Sequence, residues 1–336
     1  MAKIVVVSYP DDKHATRVMK RAQTLGKEAI LWDISEYPKN SDITFTYAGG
    51  SGKELLIGIN GKRLSASQIS GIYWRRPRGQ KGPKENSRID EYIRLESEVA
   101  IRSLCDFLPQ VNWISHPENA RLACRKPVQL KLAKELGARI PATCITNSPE
   151  EFRKFLETLG NRALTMKPAG TAFIPLARKT NLASRKNRII FTQIVRPKLI
   201  LENIDMVRNC PVIFQEAIIK DFDVRVTVVD KEVFASKIEL MGCEDPVNLD
   251  WRNYAGARNY TAHKLPGEIS DLCVNIVAGL GLRFGCLDFA FAESEGYVFF
   301  EVNPQGQWLP SELKVGYDIS GSLVRSLSGG VEASHG

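Results

Sequence analysis

Two acidic residues and an asparagine near the end of the chain have the types and spacing of a metal site. Residues 285–291 and 297–304 are separated by a tight turn, so they are predicted to pair as antiparallel strands. Glu301 and Asn303 are two residues apart and share a strand face, and Asp288 falls opposite them within about one residue. Two carboxylates and an amide oxygen suit Mg²⁺ that carries nucleotide phosphates.

The same alternation would also arise in a hairpin whose acids simply face water. That interpretation does not explain acids set among Phe, Val and Leu, where an unpaired charge is costly. The metal site is therefore the favoured prediction.

Other residues have the chemistry to bind the rest of a nucleotide. Lys126 lies in a predicted helix and Lys167 ends an apolar strand, where an ammonium can reach a phosphate, although a surface lysine is the default. Residues 212–218 could offer backbone groups to a nucleobase. Asp223 and Arg225 alternate onto one face, as an acid for ribose and a base for phosphate would; an exposed ion pair between them is equally consistent.

The elements that must position these residues begin with a predicted βαβ unit, the start of a doubly wound sheet. It lacks the Gly-x-Gly-x-x-Gly turn of dinucleotide sites. The predicted elements of this first lobe are strands at 3–8 and 28–33 around a helix at 11–25, two hairpins within 41–70, a strand at 72–77 and a helix at 88–107. The lobe is predicted to end near Ser115.

A second series of elements follows His116. The predicted helices are at 119–136, from 148 onward and at 271–280; the predicted strands are at 143–146, 163–167, 189–194, 212–218, 224–229, 233–238, 286–292 and 297–302. The Ser/Gly-rich end, residues 326–336, is predicted to be a flexible tail.

Composition restricts the class of protein without choosing its function. No apolar run approaches the ~20 residues of a membrane helix, and the N-terminal apolar stretch is too short for a signal peptide. We therefore expect a cytoplasmic protein with no membrane partner. The seven cysteines and four histidines show no metal-binding or catalytic spacing. A net charge of +8 favours anionic ligands, but no nucleic-acid-binding motif is present.

Taken in chain order, the candidate residues resemble the nucleotide site of ATP-grasp ligases; they are Lys126, Lys167, Gln215, Glu216, Asp223, Arg225, Asp288, Glu301 and Asn303. More narrowly, the chain resembles the graspetide (microviridin-type) peptide macrocyclases, relatives of the ribosomal-protein glutamate ligases. Three segments carry that resemblance: YWRRP at 73–77, KPVQLKLA at 126–133 and EVNPQGQW at 301–308. The resemblance covers nearly all of residues 1–325.

This resemblance implies an α/β (α+β) ATP-grasp fold in three lobes. They are a doubly wound pre-ATP-grasp lobe at 1–115, a central lobe with a phosphate-covering loop at 116–211 and a C-terminal lobe with the metal site at 212–325. The remaining residues, 326–336, would be the flexible tail.

It also implies the cofactors ATP and Mg²⁺ and a role for each site residue. Lys126 and Lys167 would hold the α- and β-phosphates. Adenine would lie against Gln215, Glu216, Ala217 and Ile218, with Glu216 and Ala217 as the hinge, and Asp223 would bind ribose. Asp288, Glu301 and Asn303 would hold Mg²⁺. Arg225 would contact the γ-phosphate or an acyl phosphate, and Arg252 and Asn253 would face the same centre.

The substrate implied by the resemblance is a ribosomal precursor peptide with a leader and an acidic core. Its Asp or Glu carboxylate would become an acyl phosphate, and Ser, Thr or Lys would then close an ω-ester or ω-amide ring. Arg75, Arg76 and Arg78, with the basic residues of 178–198, suit an acidic peptide, although that charge would equally keep a mobile lid in solution. Related enzymes are often dimers, which leaves a homodimer open.

Two alternatives remain at this point. An ATP-grasp ligase for small molecules, in the style of glutathione synthetase or D-Ala ligase, would share the nucleotide site and accept isolated amino acids. A non-catalytic nucleic-acid-binding protein is motivated by the pI of about 9.1 and would bind nucleic acid without hydrolysing ATP.

Overall fold

The computed structural model describes residues 2–47, 55–79, 87–170, 192–241 and 258–329. The strands are β1 (Lys3–Val7), β2 (Ala29–Trp32), β3 (Ser41–Phe45), β4 (Leu55–Ile59), β5 (Lys62–Ser65), β6 (Ile69–Trp74), β7 (Asn112–Ile114), β8 (Thr143–Thr146), β9 (Leu164–Pro168), β10 (Gln193–Val195), β11 (Val212–Glu216), β12 (Phe222–Val229), β13 (Glu232–Leu240), β14 (Arg258–Ala262), β15 (Phe284–Ala292) and β16 (Gly296–Asn303). The helices are α1 (Lys13–Thr24), α2 (Ser87–Phe107), α3 (Pro117–Ala123), α4 (Lys126–Glu135), α5 (Pro149–Leu159), α6 (Pro197–Glu202), α7 (Gly267–Gly279), α8 (Leu309–Val315) and α9 (Ile319–Leu327). None of the helices in these ranges is long and apolar enough to span a membrane.

The first lobe is built on a four-stranded parallel sheet in the order β2-β1-β6-β7. β1 is buried on both faces, which explains its continuous run of apolar residues. α1 begins at Asp12, whose carboxylate accepts a hydrogen bond from the His14 backbone N–H at 2.9 Å. It ends just before Gly26, which has a positive φ of 65°. The βαβ opening predicted from the sequence is confirmed.

The two predicted hairpins form a three-stranded antiparallel sheet, β3-β4-β5. Asn60 and Gly61 join β4 to β5, and both have positive φ, as the favoured two-residue hairpin turn requires. The apolar face of this sheet shares one buried cluster with α2 and the parallel sheet. These hairpins therefore complete the core on one side of the first lobe.

The single helix predicted at 119–136 is wrong. The structure has two helices, α3 and α4, which are separated at Cys124 and Arg125. Pro127 is the second residue of α4, where its missing N–H costs nothing; further inside a helix it would break the hydrogen-bond ladder. Lys126 consequently opens a helix instead of lying in the middle of one.

The central lobe carries the antiparallel sheet β10-β9-β11-β8. α5 covers it with Phe152, Phe155 and Leu159, which pack in one cluster with Phe214 of β11. Part of the strand predicted at 189–194 appears as β10, and residues 189–191 lie outside the described residues. α6 was not predicted.

The C-terminal lobe is a five-stranded antiparallel sheet in the order β14-β13-β12-β15-β16. α7 packs against one face of it through Cys273, Ile276 and Val277. The predicted strands β12, β13, β15 and β16 are all present, whereas β14 at the sheet edge was not predicted. β16 forms the opposite edge, a position that matters for the site.

The last two helices return to the first lobe. Ile319, Leu323 and Leu327 of α9 share a buried cluster with Ile4 and Val6 of β1. Ser326 and Leu327 are buried in α9, so the flexible tail predicted from residue 326 is wrong for these two residues. These last residues are held because they pack beside α1 on the same face of the parallel sheet. Residues 330–336 lie outside the described ranges.

Candidate active site

The predicted metal-binding residues lie together on one face of the β15–β16 hairpin. Asp288 is directly opposite Glu301, and Asn303 is opposite Cys286, two residues before Asp288. Directly opposed residues of an antiparallel pair point to the same side of the sheet, so the three oxygen-bearing side chains face one space. The register shifts between Asp288 and Phe289. The hairpin is therefore irregular just where the acids meet.

Both acids of this face are paired with basic side chains. Nη1 of Arg225 donates to Oδ1 of Asp288 at 2.6 Å, and Nζ of Lys126 lies 3.4 Å from Oε2 of Glu301. Arg225 is only 5% exposed. Burial alone would lower the pKa of Arg225, but the charge and hydrogen bond of Asp288, together with the nearby Cys286 and Glu301, outweigh burial, so this pKa lies above its ordinary value. The guanidinium therefore stays charged beside the acids.

The donor set fits a hard cation. Within the described residues no three His, Cys, Asp or Glu side chains cluster as metal ligands, so the third ligand of this group would be the amide of Asn303. Its Oδ1 accepts a hydrogen bond from the Gln305 backbone N–H at 3.1 Å, which fixes the direction of the oxygen. Two carboxylates and this oriented amide oxygen match the ligands that Mg²⁺ prefers.

Lys126 connects the central lobe to the face of the β15–β16 hairpin that carries Asp288, Glu301 and Asn303, the predicted metal face. Its Nζ donates to the Pro168 carbonyl at 3.3 Å, immediately after Lys167. Lys167 is 9% exposed, and its Nζ lies 5.7 Å from the centre of the Phe300 ring, next to Glu301 in β16. Both predicted phosphate lysines thus lie at the border of the Asp288–Glu301 face.

The predicted adenine hinge continues the β11 strand. The Gln215 side chain donates to Thr143 Oγ1 at 2.8 Å, and the Glu216 carboxylate accepts from Arg162 Nη1 at 3.0 Å. The Ala217 N–H donates to the Ala163 carbonyl at 2.8 Å, so this N–H is already used within the fold. Ile218 is buried against the C-terminal sheet. A nucleobase would therefore have to use other backbone groups of residues 215–218.

Asp223 and Arg225 share one face of β12, as the sequence predicted. The exposed ion pair considered as an alternative is wrong, because both side chains are buried and each has another partner. Asp223 is bound by Lys220, whose Nζ donates to both carboxylate oxygens at 2.6 and 2.7 Å. Sequence reasoning did not single out Lys220, although it stands three residues before Asp223.

The three arginines expected to meet the peptide do not form one exposed basic tip. Arg75 is 1% exposed; it donates to the Gln305 carbonyl and its Nε lies 3.7 Å from Asp12. Arg76 also donates to the Gln305 carbonyl, at 3.0 Å, and burial followed by the charge of Arg75 lowers its pKa. Arg75 is therefore buried in the interface between lobes, and its contact with the peptide stays a prediction.

Arg78 alone among these arginines is exposed. Its guanidinium lies 3.8 Å from the centre of the Tyr9 ring. It also lines a pocket of about 360 Å³ together with Trp74, Arg94, Arg102 and Arg121. Arg252, Asn253 and residues 178–191 of the basic segment lie outside the described residues.

Sequence reasoning also missed Gln129 and His14. The Gln129 side-chain amide hydrogen-bonds the backbone of Val302, between Glu301 and Asn303. His14 lies 5.0 Å from Trp308, ring centre to ring centre, in an edge-on contact. Neither residue has a spacing that could have indicated its role, because both act across lobes that are distant in sequence.

Comparison with known proteins defines the class. Residues 3–121 match the family model described as the MvdD pre-ATP-grasp domain. No curated protein matches the sequence. Macrocyclase MdnC from Microcystis aeruginosa MRC, bound with precursor peptide MdnA, has a TM-score of 0.82 and 25% identity over 97% of this chain and 99% of that chain. The chain therefore has the fold of an ATP-grasp ligase.

Two further structures share this fold. A Chryseobacterium gregarium RiPP-associated ATP-grasp ligase, in complex with ADP and a leader and core peptide, has a TM-score of 0.85 and 23% identity over 99% of this chain and 98% of that chain. ATP-grasp ligase PsnB, complexed with a phosphomimetic variant of minimal precursor, Mg and ADP, has a TM-score of 0.76 and 23% identity over 98% and 99%. The expected resemblance to graspetide-type ATP-grasp ligases is thereby confirmed.

Proposed function

We propose that this protein is an ATP-dependent ligase that phosphorylates Asp or Glu side chains of a ribosomal precursor peptide and closes ω-ester or ω-amide macrocycles. The observation that carries the proposal is the hairpin face of Asp288, Glu301 and Asn303, bordered by Lys126 and Arg225. Acids that bind a cation and bases that bind phosphate meet there at one point. Phosphoryl transfer needs this combination more than it needs a nucleophilic side chain.

The nucleotide would be held by separate groups for its phosphates, its ribose and its adenine. Lys126 and Lys167 would orient the phosphates, Asp223 would accept the ribose hydroxyls, and the adenine would lie against residues 215–218. When bound by Asp288, Glu301 and Asn303, Mg²⁺ would neutralise charge on the β- and γ-phosphates. The pairs Lys126–Glu301 and Lys220–Asp223 would then exchange partners, each base turning toward nucleotide oxygens.

Arg225 is suited to the reacting phosphoryl group. Its raised pKa keeps it cationic, and its buried Nε has no hydrogen-bond partner among the described residues. That N–H can therefore bind a phosphoryl or carboxylate oxygen without breaking the contact to Asp288. A preorganised donor of this kind stabilises the charge that develops during transfer. Arg252 and Asn253 would act at the same centre.

The proposed reaction has two steps. A carboxylate oxygen of the peptide attacks the γ-phosphorus, the bond to the ADP oxygen breaks, and an acyl phosphate forms. A Ser or Thr hydroxyl or a Lys amine then attacks the acyl carbon, phosphate leaves, and one proton is released. The products are ADP, phosphate and a ring, with the net loss of one water from the peptide. Alignment of the two reacting groups supplies much of the acceleration.

Two observations support a peptide substrate with acidic residues. MdnC is bound with a precursor peptide, and the Chryseobacterium gregarium ligase is in complex with a leader and core peptide. In this chain, the pocket beside Trp74 is lined by Arg78 and three further arginines against two acids, Glu98 and Glu118. The backbone carbonyl of Trp74 accepts a hydrogen bond from the Gln305 side chain at 3.3 Å. The pocket therefore adjoins the loop that follows the metal face.

The test is ADP release by the purified protein with ATP and Mg²⁺, with and without a precursor peptide encoded beside its gene. We expect peptide-dependent ADP release and a peptide mass loss of about 18 Da per bond formed. Turnover with isolated amino acids, and none with the peptide, would identify a small-molecule ligase instead. Salt-sensitive binding of nucleic acid with no ADP release in any mixture would overturn the assignment as a ligase.

A further inference from the structure

Gln129 makes an unusual set of contacts beside the metal face. Its Nε2 donates to the Val302 carbonyl at 2.8 Å, and its Oε1 accepts from the Val302 N–H at 2.9 Å. The same Nε2 donates to the Ala123 carbonyl at the end of α3. Gln129 is 2% exposed. One buried side chain thus satisfies both backbone groups of a single residue in β16.

The position of Val302 gives these contacts their significance. It lies between Glu301 and Asn303, so fixing its N–H and carbonyl also fixes the directions of the side chains on either side. Among the described residues, β16 is an edge strand whose one neighbouring strand is β15, and its other edge forms an isolated bridge from Val298 to Arg139. At Val302 that other edge faces no described strand, and the Gln129 amide binds the backbone groups there instead.

The hairpin needs such support at this point. The register shift between Asp288 and Phe289 leaves Phe300 without a direct partner in β15. A bulge loosens the pairing that would otherwise set the direction of the next residue, which here is Glu301. On the far side of the bulge, the Phe299 N–H donates to the Arg139 carbonyl at 2.8 Å. Outside contacts therefore hold the strand on both sides of its irregular residue.

Gln129 also relates the metal face to the phosphate-binding lysine. Lys126 and Gln129 are three residues apart in α4 and lie on the same side of the helix. Lys126 reaches Glu301 from the first position of α4 while Gln129 holds Val302 one turn later. A rigid helix thereby fixes the spacing between the ammonium and the two neighbouring oxygen ligands.

We propose that Gln129 is a positioning residue, which sets Glu301 and Asn303 for a divalent cation bound together with nucleotide. It touches neither nucleotide nor metal itself and acts through the backbone of Val302. The inference rests on the metal site of the proposed function, and it assigns a role to a residue outside that ligand set. A purely structural role would lower stability without changing the effect of the metal on nucleotide binding.

The experiment measures ADP binding by calorimetry with and without Mg²⁺, in the wild type and in Gln129→Leu. We expect Mg²⁺ to tighten ADP binding in the wild type, and we expect this tightening to fall about 10-fold or more in the variant. ADP affinity without Mg²⁺ should change by less than about two-fold, because the lysines remain in place. Neither measurement needs peptide or turnover.

Two further variants complete the design. Asn119→Ala removes another side-chain-to-backbone bond, from Asn119 Nδ2 to the Gly281 carbonyl at 2.7 Å, and should keep the full Mg²⁺ effect. Gln129→Met serves if the leucine variant does not fold. An unchanged Mg²⁺ effect in a folded Gln129 variant would overturn the role of Gln129 alone. Absence of any Mg²⁺ effect in the wild type would overturn the metal site with it.

Discussion

Asp288, Glu301 and Asp223 each have a basic neighbour, and this pairing governs how the site can work. The partners are Arg225, Lys126 and Lys220. A carboxylate removed from water without a partner would be costly, so these pairs stabilise the site before ligands arrive. The same bases are suited to phosphate. When nucleotide phosphates draw a base away from its carboxylate, Mg²⁺ can take the place of that base, so we expect Mg²⁺ and nucleotide to bind more tightly together than separately.

At this scale the first prediction concerns Glu301. Glu301→Gln removes the charge from one of the two carboxylates, so we expect kcat for peptide-dependent ADP release to fall by about 100-fold or more. Glu295→Gln is the matched control, because Glu295 lies in the turn of the same hairpin and pairs with Arg139 instead. Full activity of Glu301→Gln at limiting Mg²⁺ would show that the metal is held elsewhere.

A second prediction concerns the pH dependence of stability. Burial, followed by the charge of Arg75, lowers the pKa of His14 from its ordinary value of 6.5 to about 3, while Asp12 opposes this shift. The unfolded chain therefore binds a proton below about pH 6.5 that the folded chain binds only near pH 3. As the pH decreases through that window, the free energy of unfolding should decrease too. At pH 5 we expect it to be about 2 kcal/mol lower than at neutral pH.

His14→Phe provides the comparison for that prediction, because a ring at this position can keep the contact with Trp308. Denaturant unfolding at pH 7.5 and pH 5 should show a smaller loss of stability in the variant than in the wild type. The difference between the two proteins isolates His14 from His116 and His263, whose pKa values are also lowered by burial. Equal losses would contradict the assignment.

Among the secondary structure elements, the β15–β16 hairpin was the most predictable. Alternation of apolar and polar residues around a tight turn indicated its strands and brought Asp288 opposite Glu301, and both features are confirmed. The bulge and the contact from Gln129 were not predictable. They depend on α4, which lies about 170 residues earlier in the chain, and local periodicity carries no information on such contacts.

The errors at this scale have separate physical causes. Pro127 was the available signal for the break between α3 and α4, but the apolar residues on both sides continue a helical pattern across it. β14 is a short, mostly polar edge strand without a clear alternation of buried residues. The burial of Arg75 was not predicted, because it depends on Gln305 and Asp12, two segments that only the fold brings together.

At the scale of the whole molecule, the lobes converge on the segment after the proposed metal ligands. Ser115 donates to the Pro304 carbonyl at 3.0 Å, and Arg76 donates to the Gln305 carbonyl at the same distance. Arg225 Nη2 donates to the Gln307 carbonyl at 3.3 Å. The first lobe and the C-terminal sheet are thus joined through backbone groups of residues 304–307, immediately beside the proposed chemistry.

A third prediction tests the other junction between these lobes, where α9 lies against β6. A Cβ atom at Gly71 would lie 2.3 Å from the Leu327 carbonyl oxygen, so Gly71→Ala must displace α9. We expect a loss of about 1–3 kcal/mol in the free energy of unfolding. Gly267→Ala is the control, because no heavy atom lies within 4 Å of its added Cβ. Equal unfolding midpoints for both variants would contradict the close approach of α9.

The position of α9 also has a consequence for synthesis of the chain on the ribosome. Strand β1 precedes α9 by about 310 residues, yet α9 contributes to the buried cluster on the apolar face that β1 shares with β6 and β7. The first lobe cannot finish folding when its own residues have been synthesised, and must expose part of that face until residues 319–327 have emerged. A chaperone that binds exposed apolar surface would therefore meet this protein early in translation and release it late.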